Sequence, residues 1–222
     1  MKTSNRAYYF NVLYPLQDQV LQIITRLDTG FYLTGGTAAS RGYLQHRFSD
    51  DLDLFVNDDD HFVLWAERLI QALTQAGIWQ IAVRLRQERF FRLELTSPTT
   101  VLKIELVNDV PSRVGMPWLH PTLGWLDTAE NILANKISAL LDRQEPKDLA
   151  DIWGFCCRKG LSLTDAIAGA QGKAAGIFPA DLARLLCTAT SADWEVIRWI
   201  EAPPVEQFLA DLRHLGESLI LP

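Results

Sequence analysis

The chain has 222 residues, 48% of them hydrophobic and 22% charged, with a net charge of −6. That length suits one large domain or two small ones, and the negative balance excludes a generally basic nucleic-acid binder. No apolar run reaches the roughly 18 residues a membrane span needs.

Met1 to Phe10 has no continuous apolar core and no small-residue cleavage site, so a secretory signal is not expected and the cytoplasm is. Cys156, Cys157 and Cys187 fit neither a disulfide framework nor a zinc site. They are expected as buried thiols in a reducing compartment.

Along the chain, Pro15 opens a helix whose apolar positions are Leu16, Val20, Ile23, Ile24 and Leu27. Phe31 to Thr34 reads as a short buried strand, Gly35-Gly36 breaks it, and Thr37 to Gln45 reads as a helix. Asp51 to Val56 alternates, with Leu52, Leu54 and Val56 on one face and Asp51, Asp53 and Phe55 on the other. A helix follows from Phe62 through Leu73, stopping at Gly77. Three strand-like runs come next, Ile78–Gln87, Phe90–Leu95 and Val101–Leu106, the last two joined by a Ser97-Pro98 turn.

Asn108 to Gly124 is rich in Pro, Gly and Trp, lacks a period and is expected as a loop. Asp127 with Glu130 reads as a capping box for a helix carrying Ile132, Leu133, Ile137, Leu140 and Leu141. Pro146 opens another. Further helices are expected over Leu163–Gln171, Pro179–Leu186, Ala192–Ile200 and Val205–Ser218. This order predicts an α+β unit over residues 1–125 and an α-helical unit over 126–222.

Two segments of the first unit carry candidate chemistry. Gly35-Gly36-Thr37, between a strand and a helix, can admit a phosphate to the backbone at a helix N-terminus; equally, it can be a turn that only packing requires. Asp51 and Asp53 point to one face of a strand, where two like charges call for a cation such as Mg²⁺ or Mn²⁺. The plainer reading is two solvated aspartates at a strand end. Glu105 is the candidate third carboxylate and Glu94 its competitor; either could instead pair with Lys103 or Arg92. Arg41 and Arg47 flank the motif. Arg84, Arg86, Arg89 and Arg92 could contact RNA or simply cover a solvated sheet face.

In the helical unit, Lys136 lies among apolar neighbours, and Asp148 and Asp151 share a face of the next helix. Together they could serve phosphate binding through Lys136, or form an interhelical salt bridge.

These segments, LTGGTAASRGYLQHRFSDDLDLF, KIELV and AENILANKISALLDRQEPKDLADIW, resemble the abortive-infection (AbiEii/AbiGii-type) toxin nucleotidyltransferases of the DNA-polymerase-beta-like superfamily. The resemblance runs from about residue 13 to 158. It implies a nucleotidyltransferase fold, a small mixed β-sheet flanked by helices, followed by an α-helical C-terminal domain that completes the active-site cleft. It also implies transfer of a nucleotide from an NTP with Mg²⁺, in some relatives onto the 3′ end of tRNA, and a cognate antitoxin. On its motifs, Asp51 and Asp53 match the metal-binding pair and Gly35, Gly36 and Thr37 the phosphate turn. Lys136 and Asp151 match the functional lysine and aspartate. Glu105 stands where the superfamily commonly has Asp. Arg47 and Asp148 join the expected nucleotide-binding set. Transfer onto a protein, or nucleotide binding without catalysis, are the alternatives.

Overall fold

In the computed structural model the described residues are 6–220. Part of the segment in which a secretory signal was sought, residues 1–5, lies outside them. The chain forms two compact units. One takes the chain up to Ala38, Ser49–Pro111 and Pro117–Asp127; the other takes Ala39–Phe48, Ser112–Met116 and the chain from Thr128 onward. The sequence pattern suggested one cut near residue 125, whereas the chain crosses between units several times.

The first unit is built on a seven-stranded mixed sheet of order β3-β4-β5-β2-β1-β7-β6. Its strands are β1 Tyr32–Thr34, β2 Leu52–Asn57, β3 Gln80–Arg86, β4 Phe90–Thr96, β5 Val101–Asp109, β6 Trp118–His120 and β7 Gly124–Leu126. β2 and β5 run parallel, with Leu52 opposite Ile104 and Asp53 opposite Glu105. β4 pairs antiparallel with β5, and β3 with β4.

Period-two alternation explains the sheet's two faces. Leu52, Leu54, Val56, Phe91, Leu93, Leu95, Leu102, Ile104 and Leu106 are buried, as are Phe62, Ala66, Leu69 and Leu73 of the helix Phe62–Gln75. Phe62 meets Phe91 edge-on at 5.7 Å between ring centres. The residues between them in sequence, Asp53, Lys103, Glu105, Arg92 and Glu94, point the other way. The helix Tyr14–Thr25 carries Pro15 in its first turn, as expected, and buries Leu16, Val20, Leu21 and Ile24.

Four sequence expectations need correction. The stretch Asn108 to Gly124 is not all loop, because β6 lies within it. β7 follows, with Leu126 pairing parallel to Leu33 of β1. Asp127 does not cap the next helix; Thr128 does, its side chain accepting from the Asn131 backbone N–H. Asp127 is fully buried and accepts a 2.7 Å hydrogen bond from the Thr34 hydroxyl. The cysteines are free thiols, but none is fully buried: Cys156 and Cys187 are half-buried and Cys157 is exposed. The helix expected over Ala192–Ile200 is shorter, Ser191–Val196.

The second unit is helical: Ala129–Arg143, Pro146–Trp153 continuing as a π-turn Gly154–Arg158, Leu163–Gln171, Pro179–Cys187, Ser191–Val196 and Val205–Glu217. Ile132, Leu133, Ile137, Phe155, Leu182, Leu186, Phe208 and Leu212 fill its core. Gly216 lets the last helix approach closely: a Cβ there would lie 2.8 Å from the Ala183 carbonyl oxygen. Trp153, Trp199 and Phe208 pack edge-on, with centroids 5.5 to 6.1 Å apart.

Candidate active site

The first unit gathers its chemistry where β1 ends and β2 begins. Gly35 has a φ of +66°, a left-handed conformation that side chains resist. The one-turn helix Gly35–Thr37 starts there and runs on as a π-helical stretch Ala38–Leu44. The Asp53 carboxylate lies directly on Gly35: a Cβ at position 35 would overlap Asp53 Oδ2 and stand 2.8 Å from its Cγ. The glycine is thus required twice, by backbone conformation and by the carboxylate above it.

Thr37 is fully buried. Its hydroxyl donates to the Asp51 carbonyl at 2.5 Å and lies 3.0 Å from the Ser49 hydroxyl. Its side chain therefore ties the turn to the start of β2. Any phosphate contact here comes from backbone N–H groups, which the first turn of a helix leaves without intrahelical acceptors.

Asp51, Asp53 and Glu105 share the polar face of the sheet with basic side chains. Lys103 Nζ lies 2.8 Å from Asp51 Oδ2 and 3.5 Å from Glu105 Oε1. Arg92 Nε donates to Glu105 at 2.8 Å. Burial works against the Lys103 charge, but the hydrogen bond to Asp51 and the charges of Asp51, Glu105 and Asp53 outweigh it. They hold the ammonium above its ordinary value. Glu94 lies opposite Lys103 across β4 and β5 and takes two hydrogen bonds from Arg84, at 2.8 and 3.0 Å. Of the two candidates for third acid, Glu105 is the one beside Asp53.

The three carboxylates do not stand as a ready ligand set. Among the described residues no three His, Cys, Asp or Glu side chains group closely enough to hold a metal by themselves. Lys103 pairs with Asp51, and Arg92 with Glu105. The donors nonetheless fit Mg²⁺. It favours carboxylate oxygen, needs only one or two protein carboxylates, and completes its shell from water and substrate phosphates.

The arginines singled out as possible RNA contacts each have an acidic partner. Arg84 pairs with Glu94, Arg86 with Glu67, Arg89 with Asp58 and Arg92 with Glu105. They form a solvated lattice of alternating charge, not a bare basic patch.

The second unit brings Lys136, Asp148, Asp151 and Arg47 into one buried ion cluster. Asp151 is fully buried and accepts from Arg47 Nε and Nη2, both at 2.7 Å. Lys136 Nζ lies 2.7 Å from Asp151 and 2.9 Å from Asp148. Arg143 donates twice to Asp148, at 2.9 Å each. Burial alone would raise the Asp151 pKa; Arg47, Lys136 and the hydrogen bonds from His46 and Arg47 hold it well below the usual carboxylate range. Asp148 is also held low against burial, by Lys136 and Arg143.

His46 completes the cluster, and no sequence argument singled it out. Its Nε2 lies 3.0 Å from Asp151 Oδ1, while its Nδ1 is buried with no hydrogen-bond partner. Burial lowers its pKa despite Asp151, so the ring is neutral near pH 7. A lone histidine in the polar run His46 to Asp50 gives no periodic signal. Only the fold brings it to Asp151.

No curated protein sequence matches the chain. Among solved structures it is similar to JHP933 from Helicobacter pylori, at 18% identity and a TM-score of 0.63, covering 91% of this chain and 90% of that one. It is also similar to MenT4, a nucleotidyltransferase toxin from Mycobacterium tuberculosis H37Rv, at 19% identity and a TM-score of 0.67, covering 97% and 85% respectively. At such identities these neighbours establish the fold. The model of the nucleotidyl transferase AbiEii toxin family, type IV toxin–antitoxin system, matches residues 22–174, a span that holds the glycine turn, the three acids and the buried cluster. The chain is a nucleotidyltransferase and belongs to the AbiEii toxin family.

Proposed function

We propose that this toxin moves a nucleotide from an NTP onto an RNA acceptor, with the tRNA 3′ end as the favoured target, and that it depends on Mg²⁺ or Mn²⁺. The observation that carries the reading is the placement of Asp51, Asp53 and Glu105 on one polar sheet face, with Asp53 against the Gly35 turn. Asp51 and Asp53 would hold the ion. When bound, it would neutralise charge on the attacking and leaving oxygens of an in-line displacement. The Gly35 to Thr37 backbone would orient the triphosphate.

The acceptor hydroxyl attacks the α-phosphorus, forming a new phosphodiester bond. The bond from that phosphorus to the bridging oxygen breaks, and pyrophosphate leaves. Glu105, held by Arg92 and Lys103, would either help to hold the ion, the hydroxyl proton then passing to water, or take that proton itself. Arg47, Lys136, Asp148 and Asp151 enter as positioning residues of the helical unit, because each is buried and ion-paired. The antitoxin expected of a type IV system would be its cellular partner. Among the described residues no helix is long and apolar enough to cross a membrane.

The test is incubation with each α-labelled NTP, Mg²⁺, total tRNA and total protein. Label in tRNA, lost on 3′-end trimming, is the expected result. Label confined to protein would replace the RNA acceptor with a protein one.

A further inference from the structure

A two-cation phosphoryl-transfer site needs several carboxylates free to be shared between ions. In this chain one side chain already stands among those carboxylates. Lys103 Nζ reaches both Asp51, at 2.8 Å, and Glu105, at 3.5 Å. Its neighbour across the strands, Glu94, is drawn to Arg84 on the far side. Lys103 is therefore directed at the metal-site acids rather than at Glu94, although Glu94 is its register partner. Its side chain is 40% exposed and that of Glu105 only 18%, so the ammonium sits at the mouth of the group and is not lost in bulk water.

We infer that Lys103 is a built-in cation of the catalytic face, a positioning residue that takes the part of a second metal ion and limits this enzyme to one divalent cation. The inference rests on the metal-dependent reading above. The ammonium neutralises Asp51 and Glu105 and keeps them in register beside Asp53. It leaves room for one ion, completed by substrate phosphates. Removing its charge exposes a second set of carboxylate oxygens to a divalent ion. It also removes a repulsive charge from beside the first, worth about tenfold in affinity for a neighbour a few ångströms away.

The test counts ions and does not depend on turnover. Mn²⁺ binding to the full chain is titrated by electron paramagnetic resonance and calorimetry, with a non-hydrolysable NTP analogue present. The proteins are wild type, Lys103→Met, Lys103→Arg and Asp51→Asn, with thermal midpoints as the control for folding. The inference expects one Mn²⁺ per chain in wild type and in Lys103→Arg. In Lys103→Met it expects a second Mn²⁺ and about tenfold tighter binding of the first. Two ions in wild type would overturn it while leaving the metal-dependent reading intact, and so would Lys103→Met behaving as wild type. No saturable Mn²⁺ in wild type, matching Asp51→Asn, would overturn both together.

Discussion

The Asp53 carboxylate rests on Gly35, in the space a side chain at position 35 would need. This contact joins the glycine turn to the carboxylate strand, so the two motifs act as one device. Gly35→Ala must place a Cβ into Asp53 and hold alanine at a φ of +66°, a left-handed conformation that costs about 1–2 kcal/mol. We expect a melting temperature lower by several degrees. We also expect turnover to fall about a hundredfold, because displaced catalytic groups lose rate steeply. Melting curves and nucleotide incorporation measured on one preparation check both.

Glu105 and Glu94 separate by their surroundings. Glu105 lies beside Asp53 and is bonded to Arg92 and Lys103; Glu94 makes an exposed pair with Arg84. Glu105→Gln is expected to lower turnover on the order of a hundredfold. Glu94→Gln should stay within about a factor of three, since exposed ion pairs contribute little. Equal losses in the two variants would remove Glu105 from the site.

Asp151→Asn leaves Arg47 and Lys136 short of a fully buried counter-charge. Breaking a buried pair from one side costs about 3–5 kcal/mol, which in a chain of this size is on the order of 10 °C in melting temperature. Lys136→Met should also destabilise, because Asp148 and Asp151 both lose a partner. A Lys136→Met protein that melts like wild type but has a raised KM for NTP would instead make Lys136 a nucleotide contact.

The cluster also sets a pH dependence. The His46 imidazole takes up a proton near its ordinary value of 6.5 when unfolded but resists it when folded. Acid therefore favours the unfolded chain, and stability falls as pH drops below that value. Asp148 and Asp151 are held low when folded, so their contribution is present above 3.8 and is lost as pH falls below it. Melting temperatures between about pH 7.5 and 5.5, where histidine titrates, should decline in wild type. They should decline less in His46→Gln.

Much of the polar sheet face was legible in the sequence. Alternation of Leu52, Leu54 and Val56 with Asp51 and Asp53, and of Leu102, Ile104 and Leu106 with Lys103 and Glu105, assigns each side chain its face without coordinates. The run of residues around Lys136 and Asp151 likewise marked a constellation that the fold assembles. What stayed hidden depends on pairing between distant segments. β6 and β7 are three residues each, too short for a period to emerge; they pair with each other, and the pairing of Leu126 with Leu33 of β1 joins them to the sheet. Asp127 looked like a cap because capping patterns are local; its bond to Thr34 spans 93 residues. His46 reaches Asp151 across 105. The direction of Lys103, toward Asp51 rather than Glu94, was settled by Arg84, which no strand pattern weighs.

On the proposed function, Asp51 and Asp53 carry metal-dependent nucleotide transfer. The most direct measurement is transfer of label from α-labelled NTP to total tRNA by wild type and by the Asp51→Asn, Asp53→Asn double variant. Mg²⁺ is present or chelated, and folding is checked by melting. We expect incorporation in wild type that chelation abolishes and Mg²⁺ restores. In a folded double variant we expect a loss on the order of a thousandfold, the scale of several kcal/mol of transition-state stabilisation. A folded double variant that labels tRNA as fast as wild type would remove Asp51 and Asp53 from the chemistry.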